Sequence, residues 1–145
     1  MKIVLQRVSR AAVSVDGKIV GCIDKGYVAL LGFGDGDNQA KVEKMVGKIQ
    51  KLRIFPDENG KTNLSIGEVG GGILIISQFT LYADCRKGNR PSFANSANPE
   101  LAEELYDYFI EYSKDKFCKI ETGIFGASMK VELVNDGPFT VILED

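Results

Sequence analysis

The chain has 145 residues, with 18 basic and 20 acidic side chains, three cysteines, no histidine and no tryptophan. That length suits one domain burying about 68–70% of its extended-chain surface, enough for an apolar core without disulfide staples. The missing imidazole excludes Ser-His and Cys-His triads, HExxH zinc sites and histidine proton shuttles, and the formal net charge of -2 argues against wrapping a nucleic-acid duplex.

Apolar runs such as Ile73 to Ile76 fall far below membrane-spanning length, and Arg7 and Arg10 interrupt the start of the chain where a signal peptide would be apolar. A soluble, cytoplasmic protein with no membrane partner is expected. Cys22, Cys85 and Cys118 form no CxxC pair, so they are expected to be buried thiols in a reducing compartment.

Lys2 to Val15 is rich in apolar and β-branched residues, and Asp16-Gly17 then signals a tight turn into Lys18 to Ile23, which predicts a hairpin. Gly26 to Phe33 reads as a strand ending in the glycine-rich segment Gly32 to Asp37, whose spacing misses the dinucleotide and P-loop patterns. Val42, Met45, Val46, Ile49 and Leu52 recur every three or four residues and predict a surface helix over about 38–52, capped by Asp37 or Asn38. Pro56 to Gly60 is a turn-rich loop. Ile73 to Leu81 reads as one apolar strand with polar groups at its end. Asn98-Pro99 opens a second helix, to about 114, with Leu101, Leu105, Tyr108, Phe109 and Tyr112 on one side. Alternation over Met129 to Val134 predicts a strand that Asn135 to Pro138 breaks before it resumes at Phe139 to Leu143. The sum is a single α+β domain over residues 1–145, with two principal helices on a mainly antiparallel, barrel-like sheet.

Chemistry is expected where Ser77-Gln78-Phe79-Thr80 gathers two hydroxyls, an amide and several backbone N–H groups at a strand end. A hydroxyl nucleophile would need activation by Lys87 or a carboxylate, whereas backbone amides there would stabilise an oxyanion directly. Arg86, Lys87 and Arg90 place three cations in one loop, suited either to RNA phosphates or to a charged surface. Phe79, Tyr82 and Phe93 flank that loop and could stack a base or simply pack. Gly137-Pro138 is a tight turn for which cis and ordinary geometries stay open. The acidic pairs Asp57-Glu58 and Glu103-Glu104 make no persuasive metal or acid–base site, so neither metal nor cofactor is expected.

The chain resembles the bacterial-type D-aminoacyl-tRNA deacylases, also called D-tyrosyl-tRNA deacylases. The resemblance rests on Gln6-Arg7-Val8, Leu52 to Phe55, Ser77 to Asp84, Arg86 to Phe93, Thr122 to Ala127 and Asn135 to Thr140, blocks that span nearly the whole chain. It implies that family's fold and hydrolysis of the ester joining a D-amino acid to the 3' acceptor end of tRNA. Ser77, Gln78, Phe79 and Thr80 become the active-site segment, with the Phe79 amide as oxyanion donor and the terminal 2'-hydroxyl of the RNA as a participant; a Thr80 nucleophile is the rival.

The resemblance further implies that Gly137 and Pro138 form a cis element projecting into the other subunit of a homodimer, where it excludes L side chains. Arg7 is then its brace, Met129 lines the adenosine side, and mischarged glycyl-tRNA is a second substrate. Two positions depart from the family pattern, Asn89 in place of a basic residue and Phe139 in place of a small aliphatic one. The first bears on RNA binding, the second on packing at the dimer edge. The alternatives are a non-catalytic dimeric module that binds the tRNA end, and a small-molecule esterase.

Overall fold

A computed structural model describes residues 1–145. The opening run of alternating residues forms one 14-residue strand, β1 (Lys2–Val15), and its two edges organise the rest. One edge pairs along nearly its whole length with the last strand, β8 (Lys130–Glu144). The other edge is shared between β3 (Gly26–Gly32), opposite residues 2–8, and β2 (Lys18–Ile23), opposite residues 11–15. These three pairings are antiparallel, as is the short hairpin of β4 (Arg53–Pro56) and β5 (Thr62–Ser65) around the Pro56 to Gly60 turn.

The sheet is nevertheless mixed. β6 (Gly72–Ser77) runs parallel to β3, and β7 (Lys119–Thr122) runs parallel to β6, giving the order β2-β1-β3-β6-β7 with β8 on β1. Parallel neighbours need long crossovers, and the two helices supply them: α1 (Gln39–Lys51) lies between β3 and β6, and α2 (Pro99–Ser113) between β6 and β7. Asn38 caps α1 by accepting from Lys41 N at 3.2 Å, and Asn98 caps α2 by accepting from Leu101 N at 2.9 Å.

Apolar side chains on both faces of β3 and β6 explain why those segments read as continuous apolar runs. Tyr27, Ala29, Leu31, Ile73 and Ile75 join the main core under α1 and α2, whereas Val28, Leu74 and Ile76 join Val8, Ala11, Val13 and Ile23 in a second, smaller core. That second core fills the inside of the curled sheet. β2 closes toward β7 so tightly that a Cβ on Gly21 would lie 2.8 Å from the Thr122 carbonyl oxygen, which makes the sheet a near-barrel.

Three expectations need correction. The strand read as Ile73 to Leu81 stops at Ser77: Gln78 N makes the last ladder bond, donating to Leu31 O at 2.7 Å, and the chain then turns into a 3-10 turn over Phe79–Tyr82. β8 is not broken at Asn135 to Pro138 but bulged: from Val8↔Asn135 to Gln6↔Thr140, β1 advances two residues and β8 five. The three cysteines are exposed, since each lies on a strand edge or in a connection rather than on a core face.

Candidate active site

The three parallel strands point their carboxyl ends the same way, and those ends surround a cavity of about 470 Å³. Leu31 and Phe33 come from the end of β3, Ser77, Gln78 and Phe79 from the end of β6, and Phe125, Gly126 and Ala127 from the loop after β7. Pro99 and Ala102 at the start of α2 close one side, and Met129 with Val131 closes another. Backbone groups leave the ladder at these strand ends, so polar main-chain atoms become available within a mostly apolar wall.

The turn after β6 arranges the polar groups. Phe79 and Thr80 open the 3-10 turn, whose first bond runs from Leu81 N to Gln78 O at 3.2 Å, so their own N–H groups have no partner within the turn. Gln78 Nε2 donates to Thr80 Oγ1 at 2.5 Å. That bond occupies a lone pair on the hydroxyl and leaves its hydrogen free to donate, which suits orientation of an acceptor better than nucleophilic attack. Thr80 itself is exposed at the lip rather than in the cavity wall.

Beneath the turn, the Asp37 carboxylate ties distant segments together. It accepts from the Met1 amino group at 2.7 Å, from Gly34 N at 2.7 Å, from Lys41 Nζ at 3.0 Å and from Tyr82 Oη at 3.4 Å. Burial alone would push its pKa up, but the amino terminus, the Gly34 amide and Lys41 outweigh it and hold the carboxyl below its ordinary value. Tyr82 is pushed up to about 12, first by burial and then by the Asp37 charge. Its ring sits over Gly34, where a Cβ would approach to 2.6 Å, so the glycine-rich segment serves packing.

Gly137 and Pro138 lie elsewhere. Their peptide bond is cis, and they cap the β8 bulge, which Phe139 N closes by donating to Asn135 Oδ1 at 2.9 Å. Arg7, 8% exposed, reaches across from β1: Nε donates to Asp136 O at 3.0 Å, Nη1 donates to Ile54 O at 2.5 Å, and the guanidinium lies 4.9 Å from the Phe139 ring centroid. Within one chain, neither this turn nor Arg7 lines the cavity. Arg86, Lys87 and Arg90 are exposed outside it, on a loop closed by backbone bonds between Asp84 and Ser92. Arg86 is committed to Asp84 at 2.7 Å, and that hydrogen-bonded guanidinium holds the Asp84 carboxyl well below the usual range.

Cavity residues that sequence reasoning missed are the apolar ones, notably Phe125, Phe33 and Ala102. Phe125 stands inside a motif block, but its role follows only from the way β7 sits beside β6.

The family model for D-Tyr-tRNA(Tyr) deacylase matches residues 4–144. The chain belongs to this family. It is 58% identical over 144 residues to a D-aminoacyl-tRNA deacylase of Fervidobacterium nodosum, covering 99% of this chain and 97% of that one. A D-aminoacyl-tRNA deacylase of Koribacter versatilis is 54% identical with the same coverage. Among solved structures, a c-Myc DNA unwinding element binding protein superposes with a TM-score of 0.94 at 43% identity, covering 100% of this chain and 99% of that one. A probable eukaryotic D-amino acid tRNA deacylase superposes at 0.86 with 18% identity over 98% and 97% of the two chains, a likeness of fold. The deacylase fold expected from the motifs is therefore the fold present, and the near-barrel with two helices is its form in this member.

Proposed function

We propose that the protein hydrolyses the ester between a D-amino acid and the 3'-terminal adenosine of tRNA. Water adds to the ester carbonyl, and the Phe79 amide stabilises the resulting oxyanion. The ribose 3'-oxygen then leaves with a proton, releasing free D-amino acid and tRNA. The adjacent 2'-hydroxyl of the substrate relays that proton, in a chain that has no imidazole to do so. Thr80, its oxygen engaged by Gln78, orients the ester. A donor of the oxyanion-hole type is worth about 2.7–4 kcal/mol, so amides alone supply a large share of the acceleration.

The observation that carries this reading is the turn after β6, which brings Ser77, Gln78 and Phe79 to the wall of a mainly apolar cavity with free amides at its lip. Met129 forms the apolar side against which the adenosine rests. Chiral selection comes from Gly137 and Pro138 of a second subunit, whose carbonyls take the amino group and leave no space for an L side chain. Glycine has no side chain to exclude, so glycyl-tRNA is also cleaved. Support for a homodimer is that β8 pairs on one edge only, while Val134 and Ile142 on it are 43% and 66% exposed. Arg7 is the natural brace for such a projecting turn. The reaction belongs in the cytoplasm, where charged tRNA is found.

The test is release of labelled tyrosine from matched D-tyrosyl-tRNA and L-tyrosyl-tRNA by metal-free protein. Fast release from the D ester alone is expected. Equal rates would remove the chiral filter, and no acceleration of either would leave only a binding role.

A further inference from the structure

Three aromatic residues flank the cationic loop, and the structure separates their roles. Tyr82 is committed inward, with its ring over Gly34, its hydroxyl toward Asp37 and Lys2 Nζ 5.2 Å from its ring centroid. Phe79 and Phe93 are 57% and 37% exposed, and their rings meet at 5.0 Å with a 60° tilt. Two large apolar rings paired at the surface mark a contact site, since both lose favourable burial when left in water. Phe79 lines the cavity, so the pair continues the cavity wall outward. Phe93 directly follows the Asp84–Ser92 closure of the cationic loop. Of that loop's three cations, Arg86 is neutralised by Asp84, whereas Lys87 and Arg90 form no ion pair.

We propose that Phe79 and Phe93 form a stacking platform for the unpaired base of the nucleotide preceding the terminal adenosine, with its phosphate held by Lys87 and Arg90. The proposal rests on the deacylase reading and extends its substrate site by one nucleotide. An aromatic face accepts any base, and two free cations beside it match a phosphodiester. A second copy of this chain docked with its two-fold axis through the patch would set Lys87 and Arg90 against their own counterparts, a repulsive arrangement. A single-stranded RNA end has the complementary chemistry.

The experiment compares kcat/KM on D-tyrosyl-tRNA with kcat/KM on the D-tyrosyl ester of adenosine, which lacks the second nucleotide. Stacking on an aromatic ring is worth about 1–3 kcal/mol per base, so Phe93→Ala is expected to lower the tRNA-to-adenosine ratio by about 5- to 150-fold. Turnover of the adenosine ester reports on folding in the same sample. Phe93→Trp is expected to keep the ratio near wild type. It also introduces the chain's sole tryptophan, whose emission the trinucleotide CCA should quench well beyond adenosine at equal concentration. An unchanged ratio in Phe93→Ala, or quenching by CCA no greater than by adenosine, overturns the platform. A fallen ratio accompanied by dissociation in sedimentation also overturns it, assigning the patch to a second copy. Wild-type protein that cleaves neither ester overturns the deacylase reading, and CCA quenching would then still support the platform in an RNA-end-binding protein.

Discussion

Asp37 shows how one side chain can serve the site without touching it. Its side chain is 3% exposed and holds together the amino terminus, the Gly34 backbone, α1 through Lys41, and the 3-10 turn through Tyr82. Asp37→Ala would leave a buried ammonium without its carboxylate, held only by the Asp145 carbonyl oxygen at 2.8 Å, and the expected loss is about 3–5 kcal/mol in urea unfolding. The folded-state carboxyl lies below its ordinary value, so this contribution is present above the unfolded value of about 3.9 and is lost as pH falls through the lower folded value. Stability measured between pH 5 and pH 2 should therefore fall more steeply in the wild type than in Asp37→Ala, with the difference developing from the unfolded carboxyl value down to the lower folded one. At the site itself, Thr80→Val removes the hydroxyl that Gln78 orients. It should slow D-tyrosyl-tRNA hydrolysis by about 10²-fold without abolishing it, and mass spectrometry of the wild type during turnover should find no acyl adduct on Thr80. Sequence reading singled out both Asp37 and Asn38 as caps for α1; Asn38 is the cap, and a contact 36 residues away takes Asp37.

Among the elements, both helices were legible because an amphipathic period and an asparagine cap are local signals. The short strands β4, β5 and β7 were not, since four residues hold too little periodicity to read. The parallel pairing of β3 with β6 depends on backbone contact at Gly26, where a Cβ would come within 1.8 Å of the Gly72 carbonyl oxygen. Backbone cannot move aside as a flexible side chain can. Gly26→Ala should therefore cost about 3 kcal/mol or more, at the upper end of overpacking effects, whereas alanine at Gly47, with open space around its Cβ, should raise stability by about 0.5–1 kcal/mol. Chemical denaturation of the two variants separates a packing requirement from mere helix or strand propensity.

For the whole molecule, the distance between the Ser77 to Thr80 turn and the Gly137-Pro138 turn is the central fact. Neither Gly137 nor Pro138 reaches the cavity of its own chain, so the proposed chiral filter requires a second copy. A mixed-dimer experiment tests this directly. Gln78→Ala with Thr80→Val disables one half of the site; Gly137→Val disables the other, because φ is +132° there and a Cβ would crowd Phe139 N at 3.0 Å. Each variant alone should be nearly inactive. Random co-assembly of equal amounts should recover about a quarter of wild-type sites, since half the dimers are mixed and each carries one intact site. No recovery on mixing would place both halves of the site in a single chain.

Local sequence by itself determined the amphipathic helices, the Asn98 cap of α2, the β1–β2 hairpin and the exclusion of imidazole chemistry, and its motif blocks pointed to the deacylase family. Each of these rests on residues near one another in the chain or on composition. Tertiary structure alone decided the parallel strand pairs, the partner of Asp37, the bulge that keeps β8 continuous, the exposure of the cysteines and which loop cations remain unpaired. The physical reason is range: the brace from Arg7 to Asp136 spans 129 positions, and the geometry of such contacts is set by how the sheet curls around its second core.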